Sequence, residues 1–400
     1  MKKILILSDA KPVQGGRAEN TIFAYISKLI LSKNFILEYF FLNLNGNLDN
    51  HINNKDIFNF LRKKNFNFKK KNIYLKKIFF FKNIFSTINT SLKYNLRNIK
   101  IKDNYKYDLL IALGHPAFYL SDKFKFKKRF FIMGDPPGER LYVYNKINFY
   151  NHKTIISFFR LFYSYICFKL ENYYWKYKID FKDTLIGIFG SATSERFKKI
   201  FKRSFVIDLR PAMPSFKNKN IYIKKKITKV VLAGSLGGSF AQTTLINFVN
   251  LLKFSNCAYL KYYLLGHEVE NGISKNLISN IKNLKLMPSV NNFEANLSRM
   301  NIFIIPTEYY IGVRTRLCSA LSAGNFCIVT KAVLLNMPEL KSCKSVKVVK
   351  FNNKDIFRAI IKYHNLPYHK KLILNLESKR FFKKNYLYLI SGKKFISQVV

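Results

Sequence analysis

The chain is short of cysteine and of acid. Its five cysteines, at positions 167, 257, 318, 327 and 343, form no CxxC pair, show no zinc-like spacing with histidine and are odd in number. This excludes a disulfide scaffold and a zinc module, and predicts buried thiols in a reducing compartment. No run of about 18 apolar residues is free of charge, so no membrane span is expected. The nearest approach, residues 154–170 (TIISFFRLFYSYICFKL), carries Arg160 near its middle. That segment reads either as a buried helix or as one lying in a membrane interface. The opening Met-Lys-Lys precedes an apolar run of only residues 4–7 before Ser8 and Asp9, too short for a secretory signal, which predicts a cytoplasmic protein. Repeats of solenoid period and helix-turn-helix, zinc or RNA-recognition signatures are missing, so nucleic acid is not an expected partner.

Against only 22 acidic residues stand 70 Lys and Arg, a formal net charge of +48. A positive potential of that size attracts phosphates, nucleic acid or an anionic lipid surface. A coding bias towards Lys, Asn, Ile and Phe explains the excess equally well, so the charge suggests the sign of a partner and not its identity. With 400 residues and 48% hydrophobic content, the chain has enough material for two domains with separate cores.

The opening reads as strand, glycine turn and helix: KILILSD, AKPVQGG, then RAENTIFAYISKLIL with Ile22, Ile26 and Leu29 on one face. Such an order begins a Rossmann-like domain. Residues 35–44 read as extended. The basic, aromatic stretch 58–102 reads as helices with solvated lysines or as a surface that docks on anionic lipid. Strands are expected at 107–114, 129–135 and 184–191, and Thr193 or Ser194 is expected to cap the helix that follows. Residues 209–226, with two prolines and a basic, polar composition, hold the domain boundary. Beyond it, five short apolar runs alternate with helical segments, which implies a doubly wound parallel sheet.

The expected organisation is therefore an α/β chain: a Rossmann-like domain over 1–210 with an insertion at about 45–105, a linker over 211–226, and a second Rossmann-like domain over 227–366, to which the resemblance described below assigns the acceptor and the nucleotide sugar respectively. A helical tail over 367–400 would pack back on the first domain.

The chemistry concentrates in residues 301–339, where an apolar strand ends at Pro306-Thr307, a polar loop holds Glu308 and Gly312, and a helix starts near Arg314-Thr315-Arg316. A helix start offers unpaired N–H groups and the positive dipole end, and arginine forks match phosphate oxygens. Two cations at that end oppose the dipole unless an anion sits there. The alternative is that both arginines are surface cations.

Residues Pro306-Thr307, Gly312, the run Ala320-Leu321-Ser322-Ala323-Gly324, the strand 326–330 and Pro338-Glu339 resemble, in order and spacing, the retaining GT-B glycosyltransferases of group 1. The likeness is strong over 230–361 and weak over 1–44 and 107–214; residues 45–105 resemble nothing recognisable. The resemblance implies the GT-B fold, two Rossmann-like doubly wound domains facing across a cleft. It also implies retaining transfer of a sugar, hexosyl or related, from a nucleotide-sugar donor, with no metal and no other cofactor.

The likeness is divergent: the family's paired glutamates would fall on Ile311 and Ser319, with Glu308 a substitute for the first. By resemblance, Gly234-Ser235-Leu236-Gly237-Gly238 supplies the glycine turn for the donor diphosphate without the usual Arg and Lys, whose charge Arg314 and Arg316 would replace. Thr307, Gly312, Thr315 and Glu339 complete the donor set. Gly15-Gly16 would line the acceptor side and His115 would face the reacting sugar. Asp135 and Glu139, in GDPPGER, would bind acceptor hydroxyls or act as a general base.

A cell-envelope glycan or lipid-linked acceptor, as in lipopolysaccharide or other envelope polysaccharide synthesis, suits a peripheral protein on the inner membrane face. The rival functions are a degenerate GT-B binding protein without catalysis and a nucleotide-sugar epimerase.

Overall fold

The computed structural model describes residues 2–8, 26–31, 33, 35–44, 66–73, 106–134, 136–177, 183–201, 206–216, 227–233, 239–254, 257–266, 281, 283–287, 293–308 and 312–399. The chain divides into two compact units: Met1–Ala212 with Tyr388–Val400, and Met213–Leu387.

In the first unit, β1 (Lys3–Ser8), β2 (Ile36–Leu44), β3 (Phe66–Ile73), β4 (Lys106–Leu113), β5 (Lys125–Met133), β6 (Thr184–Phe189) and β7 (Val206–Leu209) form one sheet in the order β3-β2-β1-β4-β5-β6-β7. Every pairing is parallel. A parallel sheet covered on both faces needs apolar residues at consecutive positions, which is why KILILS and FFIM run without alternation. One face carries Leu5, Leu110, Phe131 and the single tryptophan, Trp175.

Helices α1 (Gly114–Ser121), α2 (Pro137–His152), α3 (Ile155–Tyr177) and α4 (Ser191–Ile200) connect the later strands. Helix α3 begins with a reciprocal pair, Thr154 N–H to Ser157 Oγ at 2.9 Å and Ser157 N–H to Thr154 Oγ1 at 3.2 Å, which satisfies donors that a helix start leaves open. Helix α4 departs from expectation: Gly190 is its cap residue, no side chain caps it, and Thr193 and Ser194 lie buried inside its first turn.

The second unit holds β8 (Thr228–Ala233), α5 (Ser239–Phe254), β9 (Leu260–Leu265), β10 (Leu284–Met287), α6 (Phe293–Ser298), β11 (Ile302–Ile305), α7 (Thr315–Ala323), β12 (Phe326–Thr330), α8 (Lys331–Asn336), a 3-10 turn (Pro338–Ser342), β13 (Val346–Val349), α9 (Asn353–His364) and α10 (Tyr368–Asn385). Its sheet runs β10-β9-β8-β11-β12-β13, again all parallel. Strand order reverses at β1/β4 in the first sheet and at β8/β11 in the second. These are the switch points beyond whose carboxyl ends ligands bind in open α/β sheets.

Three expectations need revision. Residues 66–73 form strand β3, which replaces the expected helix there, and the rest of the 45–105 stretch lies outside the described residues. Strands β7 and β13 were not anticipated. The tail is split: α10 belongs to the second unit, where Asn375 Nδ2 donates to Gly324 O at 2.7 Å and Ser378 Oγ to Asn325 O at 2.9 Å. Only α11 (Tyr388–Val399) belongs to the first unit, where Phe395 packs on Phe130 with ring centroids 5.2 Å apart. Continuous helical composition concealed the break at Tyr386-Leu387.

Candidate active site

At the switch point of the second sheet, β11 (IFII) is buried along its whole length and delivers Pro306 and Thr307 at its carboxyl end. Thr330, at the end of neighbouring β12, donates its hydroxyl to the Thr307 carbonyl. Glu308 follows, exposed, with partial burial raising its carboxyl above the ordinary range. The loop re-enters at Gly312, whose φ of 69° is open to glycine at little cost. Its carbonyl accepts from Asn336 Nδ2 at 3.3 Å.

Helix α7 then starts with Arg314 as cap residue, no side-chain cap and no acid in its first turn. Thr315 is its first residue. Arg316 turns back to donate from Nη1 to the carbonyl of Ala233 at 2.5 Å. Ala233 is the last residue of β8, immediately before the glycine-rich sequence 234–238. Burial, and then the Arg314 charge, pull the Arg316 guanidinium down to about 10, so it remains a cation at neutral pH.

Glu339, in the 3-10 turn, accepts at Oε1 from the Tyr386 hydroxyl at 2.6 Å, and its charge adds to burial in pushing the Cys318 thiol up. The structure thus brings Thr307, Glu308, Gly312, Arg314, Thr315 and Arg316 to one end of the second sheet and ties Arg316 to β8. Gly234, Ser235, Gly237 and Gly238 lie outside the described residues, as do Gly15, Gly16 and Asp135 on the acceptor side.

In the first unit, His115 opens α1 just past the carboxyl end of β4. Its ring is buried, 5.8 Å from that of Phe131 and 5.3 Å from that of Trp175. Burial lowers its pKa to about 4, so the imidazole is neutral, and Nε2 has no hydrogen-bond partner among the described residues.

Glu139, expected on the acceptor side, is buried and pairs with Arg196 Nη2 at 2.9 Å. Its carboxylate ties α2 to α4. Beside it, buried Glu171 accepts from the N–H groups of Gly138 (3.1 Å) and Glu139 (3.2 Å), so a carboxylate from α3 already occupies the start of α2. Sequence reasoning missed Glu171 and Arg196, since a charged residue inside an amphipathic helix reads as solvated unless its partner is known, and Tyr386, since the break between two helices that holds it was not anticipated.

No protein-family model and no curated protein matches the chain. Solved structures do resemble it. Sucrose-phosphate synthase from Thermosynechococcus elongatus superposes with a TM-score of 0.66 at 10% identity, over 99% of this chain and 98% of that one. Anabaena HepE, solved in complex with UDP and glucose, gives 0.59 at 11% identity, over 99% of each chain. WaaG, a glycosyltransferase involved in lipopolysaccharide biosynthesis, gives 0.58 at 11% identity, over 100% and 99%. These likenesses extend over nearly the full length of each chain, and the α/β fold is GT-B.

Proposed function

We propose that the chain is a glycosyltransferase that moves a sugar from a nucleotide-sugar donor to a cell-envelope glycan or lipid-linked acceptor, with retention at the anomeric carbon and without a metal. The observation that carries this reading is the Arg316 bond to the Ala233 carbonyl, which holds a half-buried cation at the carboxyl end of β8 beside an uncapped helix start. HepE, with its bound UDP and glucose, and WaaG, with its lipopolysaccharide role, lend support at the level of fold.

In this reading the donor diphosphate lies against the α7 N-terminus, Arg314, Arg316 and the turn 234–238. The bond from the anomeric carbon to the diphosphate oxygen breaks, and its electron pair leaves with the diphosphate. Arg316 neutralises the charge as it develops, a cation already fixed in place by the Ala233 carbonyl. The acceptor hydroxyl forms the new C–O bond on the face the diphosphate leaves and passes its proton to the departing oxygen. Glu308 contacts the donor sugar in place of the family's first glutamate, and Glu339, oriented by Tyr386, completes the donor set. His115 offers a neutral ring nitrogen to a sugar hydroxyl, while Gly15, Gly16 and Asp135 serve the acceptor. The protein works on the cytoplasmic face of the membrane.

The experiment is acceptor-dependent release of nucleoside diphosphate from a panel of nucleotide sugars with envelope lipid extract. Release that requires the extract supports the reading. No release, and no thermal stabilisation by any nucleotide sugar, overturns it.

A further inference from the structure

Helix α3 buries one stripe and leaves the opposite one bare. Ser157, Ser164, Cys167, Glu171 and Tyr174 face the unit, while Ile155, Phe159, Phe162, Ile166, Tyr173 and Tyr177 are exposed, from 39% at Ile166 to 73% at Ile155. The exposed residues recur at intervals of four, three and seven, so they fall on one side of the helix. The row is roughly 33 Å long at about 1.5 Å per residue. More of the exposed large apolar side chains lie on this helix than on any other described element. A contiguous apolar surface of this kind on a folded chain marks an interaction site.

The charges around the row select the occupant. On α3, exposed Lys169 and Lys176 flank the row by helical spacing while Arg160 is exposed on the other side, and Arg140, Lys146 and Lys153, on and after α2, are exposed as well. The two acids within 137–177, Glu139 and Glu171, are both buried. A second copy of the same face would bring like charges together, whereas an anionic surface complements them. No helix among the described residues is long and apolar enough to cross a membrane. An apolar stripe flanked by Lys and Arg lies in the plane of the headgroups instead.

We infer that α3 is an interfacial anchor: it lies flat on an anionic phospholipid bilayer, with the row from Ile155 to Tyr177 buried below the headgroups and the flanking cations on lipid phosphates. This deepens the acceptor side of the proposed function and rests on it only for the acceptor's lipid anchor. Vesicle binding is read with no sugar donor present, so its failure leaves donor binding untouched.

The experiment is co-sedimentation with vesicles of phosphatidylcholine alone or mixed equally with phosphatidylglycerol. It compares the full chain with the triple variant Phe159→Ser, Phe162→Ser, Ile166→Ser. At about 1 M salt, where the screening length is about 3 Å, attraction by lysines elsewhere on the chain is suppressed. The wild type should still hold the mixed vesicles there, and the variant should bind at least ~10-fold more weakly. An environment-sensitive dye on Phe162→Cys, with Cys257→Ser removing the one cysteine that is not buried, should shift to the blue on mixed vesicles. Equal binding by the triple variant, an unshifted dye, or a wild-type dimer that the triple variant dissociates would each overturn the assignment.

Discussion

Arg316, in the first turn of α7, donates to the main-chain carbonyl of Ala233, the last residue of β8, at 2.5 Å. The two residues belong to elements on either side of the β8/β11 switch point, so one side chain fixes the register between the helix start and the carboxyl end of β8. A guanidinium has five donors in a planar fork. Using one on a carbonyl locks the plane and leaves others to meet a ligand.

Arg314 occupies the cap position without capping, and its cation opposes the dipole of α7. Arg314→Ser should raise the stability of the ligand-free protein by about 1 kcal/mol, since serine caps and removes the charge. Nucleoside diphosphate affinity should fall at the same time. Urea unfolding with and without nucleotide reads both, and opposite signs are expected.

His115 titrates near 4 because its ring is buried, against 6.5 when unfolded. Between those values the unfolded chain binds a proton that the folded chain refuses, so stability is complete above the unfolded pKa and declines as pH falls. His115→Phe keeps a ring against Trp175 and removes the titration. Relative to that variant, the wild type should lose about 3 kcal/mol between pH 6.5 and 4. The same substitution should abolish sugar transfer while leaving donor binding intact.

Glu171 gives the opposite slope. Burial, chiefly, raises its carboxyl to about 7, against the backbone bonds from Gly138 and Glu139 and the Arg196 charge that lower it. Between pH 4.5 and 7 the folded chain holds a proton that the unfolded chain has released, so this contribution is full below the unfolded pKa and lost as pH rises through the folded one. Compared with Glu171→Gln, the wild type should weaken by a few kcal/mol across that window. Parallel melting curves for the two proteins at pH 5 and 8 would contradict the assignment.

Gly324 ends α7 at φ 90°, and a Cβ there would sit 2.3 Å from Asn375 Nδ2. Gly324→Ala should cost about 2 kcal/mol or more, from the left-handed backbone and the displaced Asn375 bond to the Gly324 carbonyl. Chemical denaturation measures it, and a neutral result would mean that α10 does not pack as described.

The second sheet was legible in the sequence because short apolar runs bounded by polar turns recur along it, unbroken in Ile302–Ile305 and broken by one lysine in Leu260–Leu265 and Leu284–Met287. Val346–Val349 and Val206–Leu209 escaped notice because each is only four residues long with a charge inside, Lys347 or Asp208, and a charge-rich segment beside it. Arg314 and Arg316 were legible from the dipole conflict their charges create at a helix start. The Arg316 partner was not, since a main-chain carbonyl 83 positions away leaves no mark in side-chain chemistry. The partner of Glu139 was hidden in the same way: Arg196 comes from a helix more than fifty residues downstream.

The most direct measurement is calorimetric titration of the wild type, Arg316→Ala and the exposed-lysine control Lys347→Ala with nucleoside diphosphates, without metal. The account predicts binding by the wild type and the control, and a loss of about 10- to 100-fold for Arg316→Ala, the size of a charge-assisted bond to phosphate. Equal affinity in all three proteins, or no binding by any, would contradict it.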